Sequence, residues 1–319
     1  MLGPTKLCPE GIGLIFLDLD DTIVIDGGRI SPRVLDAVAL ARERGCVVCA
    51  STGRPLVMVP PVLRRPDVMD YLICSNGART YDTARGLLSD RPMRAEQVLA
   101  AMDALEPLRP GWNAFAGEEA YFEWRGLSYM LTGRSRRILA PVQGGGMVRS
   151  RRVGGMARLV LKAMGLARRA VVGRAGMHQV WSVRPAVRAA ADGVSKAGCT
   201  LSSPEACERA ITILAHLGCF ELARMAPTEI EVTARGVNKG TAVTWLIECL
   251  GEKASRAVAF GDSSNDLPLA DACGLLVAMG NADEELVERA GDVCETVYDD
   301  GVARWIERAM AEADGGSRA

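Results

Sequence analysis

An apolar run, Leu14-Ile15-Phe16-Leu17, ends abruptly in Asp18-Leu19-Asp20-Asp21. No other feature of the chain narrows the possible folds as far. Large apolar residues in unbroken succession read as a strand buried on both faces, as at the centre of a parallel sheet. The acids then emerge at the carboxyl end of that sheet, where open α/β proteins bind ligands. Alternation along a strand spanning 14–19 puts Asp18 and Asp20 on one side, close together. Crowded carboxylates repel, and a bound cation or a shared proton relieves them. The pair suits a Mg²⁺ site with one nucleophilic and one acid/base carboxylate. Alone, it equally suits an acidic strand-to-loop junction with no chemistry.

Three further stretches bear on that choice. Ala257 to Phe260 is an apolar run that delivers Gly261-Asp262-Ser263-Ser264-Asn265-Asp266. Val47 to Ala50 leads into Ser51-Thr52-Gly53-Arg54, and Asn238-Lys239-Gly240 opens a helical segment. In this order and spacing the four stretches resemble the signature of the haloacid-dehalogenase superfamily, and within it the Cof-type phosphatases of class IIB. The resemblance covers about residues 12–82 and 226–319, where Asn76-Gly77-Ala78 and Val277-Ala278-Met279-Gly280-Asn281-Ala282 are also similar. It is weak through the middle of the chain.

The element pattern agrees with an α/β fold. Strand 14–19 is followed by a helix from Pro32 to Arg44, with Ser31 as N-cap and Pro32 at its first position. Strand 47–52, a proline-interrupted segment and strand 71–75 continue a βαβα rhythm, which predicts a parallel sheet with helices on both faces. The rhythm resumes with helix 239–250, strand 256–261, helix 265–272, strand 274–278 and a closing helix at 301–312. Between these halves, Trp112 to Trp124 reads as a hairpin and Ser203-Pro204-Glu205 opens a helix to Leu217. The resemblance implies a Rossmann-like core of residues 1–82 and 226–319, interrupted by an inserted α/β cap of the C2 type at 83–225.

The near-neutral total charge hides an asymmetry. No Asp or Glu occurs from Arg125 to Ala191, and the cap carries a basic segment at about 134–175 that includes Arg134, Arg158, Lys162 and Arg169. A solvated basic face is the plain reading; an anionic partner such as a polyphosphorylated substrate, an acidic lipid surface or RNA is the functional one. The scarcity of aromatics there speaks against single-stranded nucleic acid. No segment is apolar for long enough to span a bilayer, and no N-terminal run has signal-peptide character. Ten cysteines scattered through apolar runs read as reduced, buried thiols of a cytoplasmic protein. Cys46 and Cys49 have C-x-x-C spacing, but on a strand they face opposite ways. With only His178 and His216 available, histidine-based hydrolysis and zinc chemistry are improbable.

What remains is implied by the resemblance, position by position. Asp18 attacks phosphorus and becomes an aspartyl-phosphate, while Asp20 protonates the leaving alcohol and later takes a proton from water. Mg²⁺ is held by the Asp18 carboxylate, the Asp20 carbonyl and the Asp262 carboxylate, with Asp266 a minor or indirect partner. The Leu19 amide, Thr52 hydroxyl, Gly53 amide, Lys239 ammonium and Asn265 side chain cradle the phosphate. Arg54 either orients substrate or pairs with an acid. Asp21 stands where most members carry glycine, and aspartate tolerates turn conformations. The implied substrates are small phosphomonoesters, sugar phosphates first. The rivals are a phosphomutase on the same core and a non-enzymatic anion or RNA binder working through the basic segment.

Overall fold

The computed structural model describes residues 11–25, 28–126, 128–129 and 176–316, with side chains to residue 312. The basic segment expected at 134–175 lies outside the described residues.

The first strand, β1 (Leu14–Leu17), is buried along its whole length. Its alternation is resolved in the packing. Ile15 and Leu17 enter one apolar cluster with the helices α1 (Pro32–Glu43) and α8 (Gly301–Gly316). Leu14 and Phe16 enter another with α5 (Lys239–Leu250), α6 (Leu269–Ala272) and α7 (Glu284–Arg289). A strand covered on both faces needs such a run of apolar residues, because neither side meets water.

Parallel partners flank β1: β4 (Val47–Ser51) on one side and β14 (Ala257–Gly261) on the other, with Leu17 level with both Ala50 and Phe260. The three strands therefore end together. The sheet continues through β5 (Tyr71–Cys74), β6 (Arg79–Asp82) and β7 (Gly86–Asp90) beyond β4. Beyond β14 it continues through β15 (Leu275–Ala278) and β16 (Asp292–Val293). Between β1 and β14 the strand order reverses direction, the place where a crevice opens in sheets of this kind. A two-strand ribbon, β2 (Val24–Ile25) with β3 (Arg29–Ile30), follows β1.

A second, six-stranded sheet forms the cap. Its order is β10 (Met177–Val180), β9 (Glu119–Glu123), β8 (Gly111–Ala116), β11 (Val194–Thr200), β13 (Glu229–Ala234) and β12 (Phe220–Ala226). One face is covered by α2 (Ala95–Leu105), α3 (Arg184–Ala189) and α4 (Pro204–Leu217), which bury Ala197, Cys199, Ile230 and Val232. The alternate residues Lys196 and Glu231 point toward the core.

Two boundaries move. The expected core limits at 82 and 226 fall within the sheets, because β7 extends the core sheet to Asp90 while β12 and β13 keep the chain in the cap sheet to Ala234. In both places a hairpin carries one sheet past the expected crossing, and hairpin strands obey the same apolar rhythm in either domain. The parallel expectation holds from β16 to β5, but β6 and β7 run antiparallel at the edge. Helix 265–272 resolves into a 3₁₀ turn at Ser264–Asp266 and the short α6. Cys46 and Cys49 lie in the two opposite core clusters, and the nine described cysteines are free thiols.

Trp305 on α8 is fully buried, meets Phe260 edge-on at 5.2 Å between ring centroids and donates its indole N–H to Asp292 at 2.9 Å. It closes the core against the back of β14, so Trp305→Ala is expected to cost about 3–5 kcal/mol in urea unfolding. A loss below about 1 kcal/mol would show that α8 does not clamp the sheet.

Candidate active site

β1 ends at Leu17 rather than at Leu19. Beyond it the amides of Thr22, Ile23 and Val24 all converge on the Leu19 carbonyl at 2.7–3.3 Å, which folds the chain into a tight turn. Asp21 takes a left-handed φ of 56° there, a conformation glycine adopts freely and aspartate tolerates. The carbonyl of Asp21 accepts the Asn281 side-chain amide at 2.8 Å, and Asn281 in turn accepts the Val297 amide at 2.9 Å. Asn281 thus ties the acidic turn to the far end of the core.

Past the turn both carboxylates line one cavity, and the charge of Asp20 adds to the upward push on Asp18. Asp18 stays on the Phe16 side of the sheet and is buried, facing the start of α5. Asp20 stands in the wall of a cavity, its side chain 58% exposed, and both its oxygens accept from Arg54, from Nε at 2.8 Å and Nη2 at 2.5 Å. Arg54 also donates to the Met58 carbonyl at 3.0 Å, so it pairs with the acid and is itself anchored.

Lys239 is the first residue of α5 and has no solvent exposure at all. Asn238 caps the helix by accepting the Thr241 amide at 2.9 Å, while Thr241 reaches back to the Asn238 amide at 3.1 Å. The helix start can approach the Asp266 loop because residue 240 is glycine: a Cβ there would lie 2.3 Å from the Pro268 carbonyl oxygen. From this position the Lys239 ammonium donates to Asp18 Oδ1 and to Asp266 Oδ1, each at 2.6 Å. Burial opposes its charge, but the two carboxylates outweigh that and hold the ammonium above its ordinary range. Burial pushes Asp18 well above the usual carboxylate range, opposed by Lys239 and reinforced by Asp266 and Asp20. Asp262 is raised likewise, by burial and then by the charges of Asp18 and Asp266.

One oxygen each from Asp18, Asp262 and Asp266 lies within 4.8 Å of the others. All three donors are hard carboxylate oxygens, the set that suits Mg²⁺, and three carboxylates gather around the one ammonium of Lys239. The residues fit a divalent cation. Asp266 has a second task, since its other oxygen accepts the amides of Asp262 and Ser263 at 3.1 and 3.3 Å and shapes the loop.

The remaining expected residues gather at the same point. Thr52 is buried beside the cavity, its hydroxyl accepting the Arg54 amide at 3.1 Å. Gly53 and Asn265 line the cavity with Asp18, Asp20 and Asp262, while Leu19 buries its side chain on the α1 side. Asn265 accepts the Ser263 hydroxyl at 3.0 Å and donates to Asn76 at 3.2 Å. Of the two histidines, His178 stacks on Tyr121 at 4.8 Å and His216 holds the Thr212 carbonyl at 2.7 Å in the cap.

Two further residues of the cavity region, Lys196 and Glu231, stand in none of the motif stretches, and Asn76 of the Asn76-Gly77-Ala78 stretch joins them. Asn76 donates to Glu231 at 2.6 Å, and Glu231 pairs with Lys196. The one clue was a lysine within β11, whose seven residues are all buried.

The haloacid dehalogenase-like hydrolase family matches this chain over residues 15–132 and 192–306. The chain belongs to that family and is a hydrolase. Among its relatives is the 5-amino-6-(5-phospho-D-ribitylamino)uracil phosphatase of Bacillus subtilis, 25% identical over 92% of this chain and 94% of the other. Another is the pyridoxal phosphate phosphatase of Escherichia coli, 26% identical over 92% and 97%. A haloacid dehalogenase-like hydrolase from B. subtilis shares the fold with a TM-score of 0.75 at 23% identity, over 93% of this chain and 99% of that one. A subclass IIB sugar phosphatase does so with a TM-score of 0.68 at 20% identity, over 92% and 98%.

Replacing Lys239 by methionine leaves buried carboxylates with their cation gone. Lys239→Met is expected to lose about 3–5 kcal/mol in urea unfolding with chelator present. A cost under about 1 kcal/mol would contradict the charge balance described here.

Proposed function

We propose that the protein is a Mg²⁺-dependent phosphatase that hydrolyses small phosphomonoesters through a phosphorylated Asp18. The observation that carries this reading is the buried Asp18 carboxylate, held on one oxygen by Lys239, at the floor of a cavity of about 380 Å³ roofed by the cap. A carboxylate in that setting is a positioned nucleophile, and a covalent intermediate divides one difficult displacement into two easier ones.

In this mechanism Lys239 fixes Asp18 Oδ1 and leaves Oδ2 for attack on phosphorus. Thr52, Gly53, the Leu19 amide and Asn265 receive the phosphoryl oxygens, since phosphoryl transfer rests on positioning and charge neutralisation. Asp20 protonates the departing oxygen and afterwards takes a proton from the attacking water. Both Asp20 oxygens are engaged by Arg54, so one of those bonds opens when Asp20 handles a proton. The carboxylates of Asp18 and Asp262 and the Asp20 carbonyl would hold Mg²⁺, with Asp266 adjacent, and the ion would supply neutralisation of phosphate charge. The cap excludes water from the reacting groups and contacts the leaving group.

Relatives are named for phosphate esters of a uracil and of pyridoxal, so the substrate panel includes such heterocycles beside the sugar phosphates that the motif resemblance puts first. The free thiols support a reducing, cytoplasmic location.

The test is phosphate release from such a panel with Mg²⁺ and then with excess chelator. Release is expected with the ion and not without it. Asp18→Asn should lower turnover by about 10³-fold or more, and Asp20→Asn by about 10²-fold or more, with both variants still unfolding cooperatively above the assay temperature. Near-normal rates in either variant would remove that residue from its role.

A further inference from the structure

The cap sends one cation into the reaction site. Lys196 lies on the open face of the cap sheet, is only 3% exposed and lines the same cavity as Asp18, Asp20 and Asp262. Its depth is measured by Gly53: a Cβ on that glycine would lie 3.0 Å from the Asn76 amide oxygen, 3.2 Å from Glu231 Oε2 and 3.4 Å from the Lys196 ammonium. The ammonium therefore sits against the turn that follows β4, in the cavity that Asp18 also lines.

It is held there by groups from both domains. Glu231 stands opposite Gly198 in the β11–β13 pairing and reaches diagonally to Lys196. The other Glu231 oxygen accepts from Asn76, whose amide oxygen accepts from Asn265. Asn76 belongs to the core and occupies a left-handed turn at φ 54°. A chain of contacts thus runs from Asn265 beside the cleft, through Asn76, to the cap pair. The Phe115 ring lies under the ammonium at 4.9 Å. Among the described residues Glu231 is the only hydrogen-bond acceptor Lys196 uses, and an ammonium has three donors. A buried pair with donors left over and facing a cavity is built for a ligand as much as for the fold.

We propose that Lys196 binds the leaving group of the phosphomonoester, selecting substrates that carry a hydrogen-bond acceptor beyond the ester oxygen. This rests on the phosphatase reading and names what the cap selects. Glu231 and Asn76 are positioning residues: they hold Lys196 over the cleft when cap and core are together, so the leaving-group site exists only in that arrangement.

The experiment compares ribose 5-phosphate and pyridoxal 5′-phosphate, which carry such acceptors, with phenyl phosphate, which carries none. In Lys196→Met, kcat/KM for whichever acceptor-bearing esters the wild type uses is expected to fall roughly 10- to 100-fold, chiefly through KM, the worth of a charge-assisted hydrogen bond. Phenyl phosphate should change by less than about 3-fold, and Lys196→Arg should recover part of the loss. An equal fall on all three substrates would mean that Lys196 only latches the cap, and no change would exclude it from the site; either overturns the proposal. If Lys196→Met does not fold, the Lys196→Met/Glu231→Gln variant removes both charges together and is read by the same criteria. Failure of the wild type on all three substrates would instead overturn the phosphatase reading itself.

Discussion

The ammonium of Lys239 between Asp18 and Asp266 is the contact around which the rest of the core is arranged. Burying a carboxylate is costly unless a cation and hydrogen bonds compensate it. Here a lysine with no solvent exposure serves two carboxylates at 2.6 Å each. Much of the local architecture is needed to bring those three groups together. β1 and β14 must end at the same level, α5 must begin where it does, and glycine at 240 must admit the Asp266 loop. The cluster still carries more negative charge than one lysine balances. That surplus is what a divalent cation would relieve.

The two sheets divide the chemistry between them. The parallel sheet supplies fixed strand ends, so its functional groups sit on rigid backbone. The cap sheet offers an open face whose alternate residues look into the cleft. Arg79 ties them at one margin, donating to the Gly117 carbonyl at 2.7 Å and to Glu118 at 3.0 Å, and Tyr81 donates to Glu118 at 2.9 Å. Asn76 and Glu231 tie them beside the cleft. Beside these polar ties, Phe115 and Met177 of the cap pack against Val57 and Met58 of the core, so the two sheets are joined by apolar contact as well.

What the sequence revealed follows from how local each signal is. Asp18, Asp20, Asp262, Asp266, Thr52, Gly53 and Lys239 all stand at strand ends or a helix start, where apolar periodicity stops at a charged or small residue. The limits of α5 and the N-cap at Ser203 were legible for the same reason. The strand expected to run to Leu19 ends at Leu17, because the turn closed on the Leu19 carbonyl is a hydrogen-bonding event with no periodicity of its own. The Lys196–Glu231–Asn76 network was not legible, because it depends on the register of two strands more than thirty residues apart and on a turn from the other domain. The domain limits were missed because hairpin strands give no sign of which sheet they join.

The most direct test of the account is to look for the phosphoryl group on Asp18. An Asp20→Asn variant lacks the group that activates water, so mixing it with Mg²⁺ and 4-nitrophenyl phosphate, whose phenolate departs without an acid, quenching in acid and mapping peptides by mass spectrometry should trap the intermediate. The account predicts one phosphoryl group per chain, on Asp18, absent when Asp18→Asn is added. A phosphoryl group on another residue, or none in a variant that still turns over substrate, would contradict it.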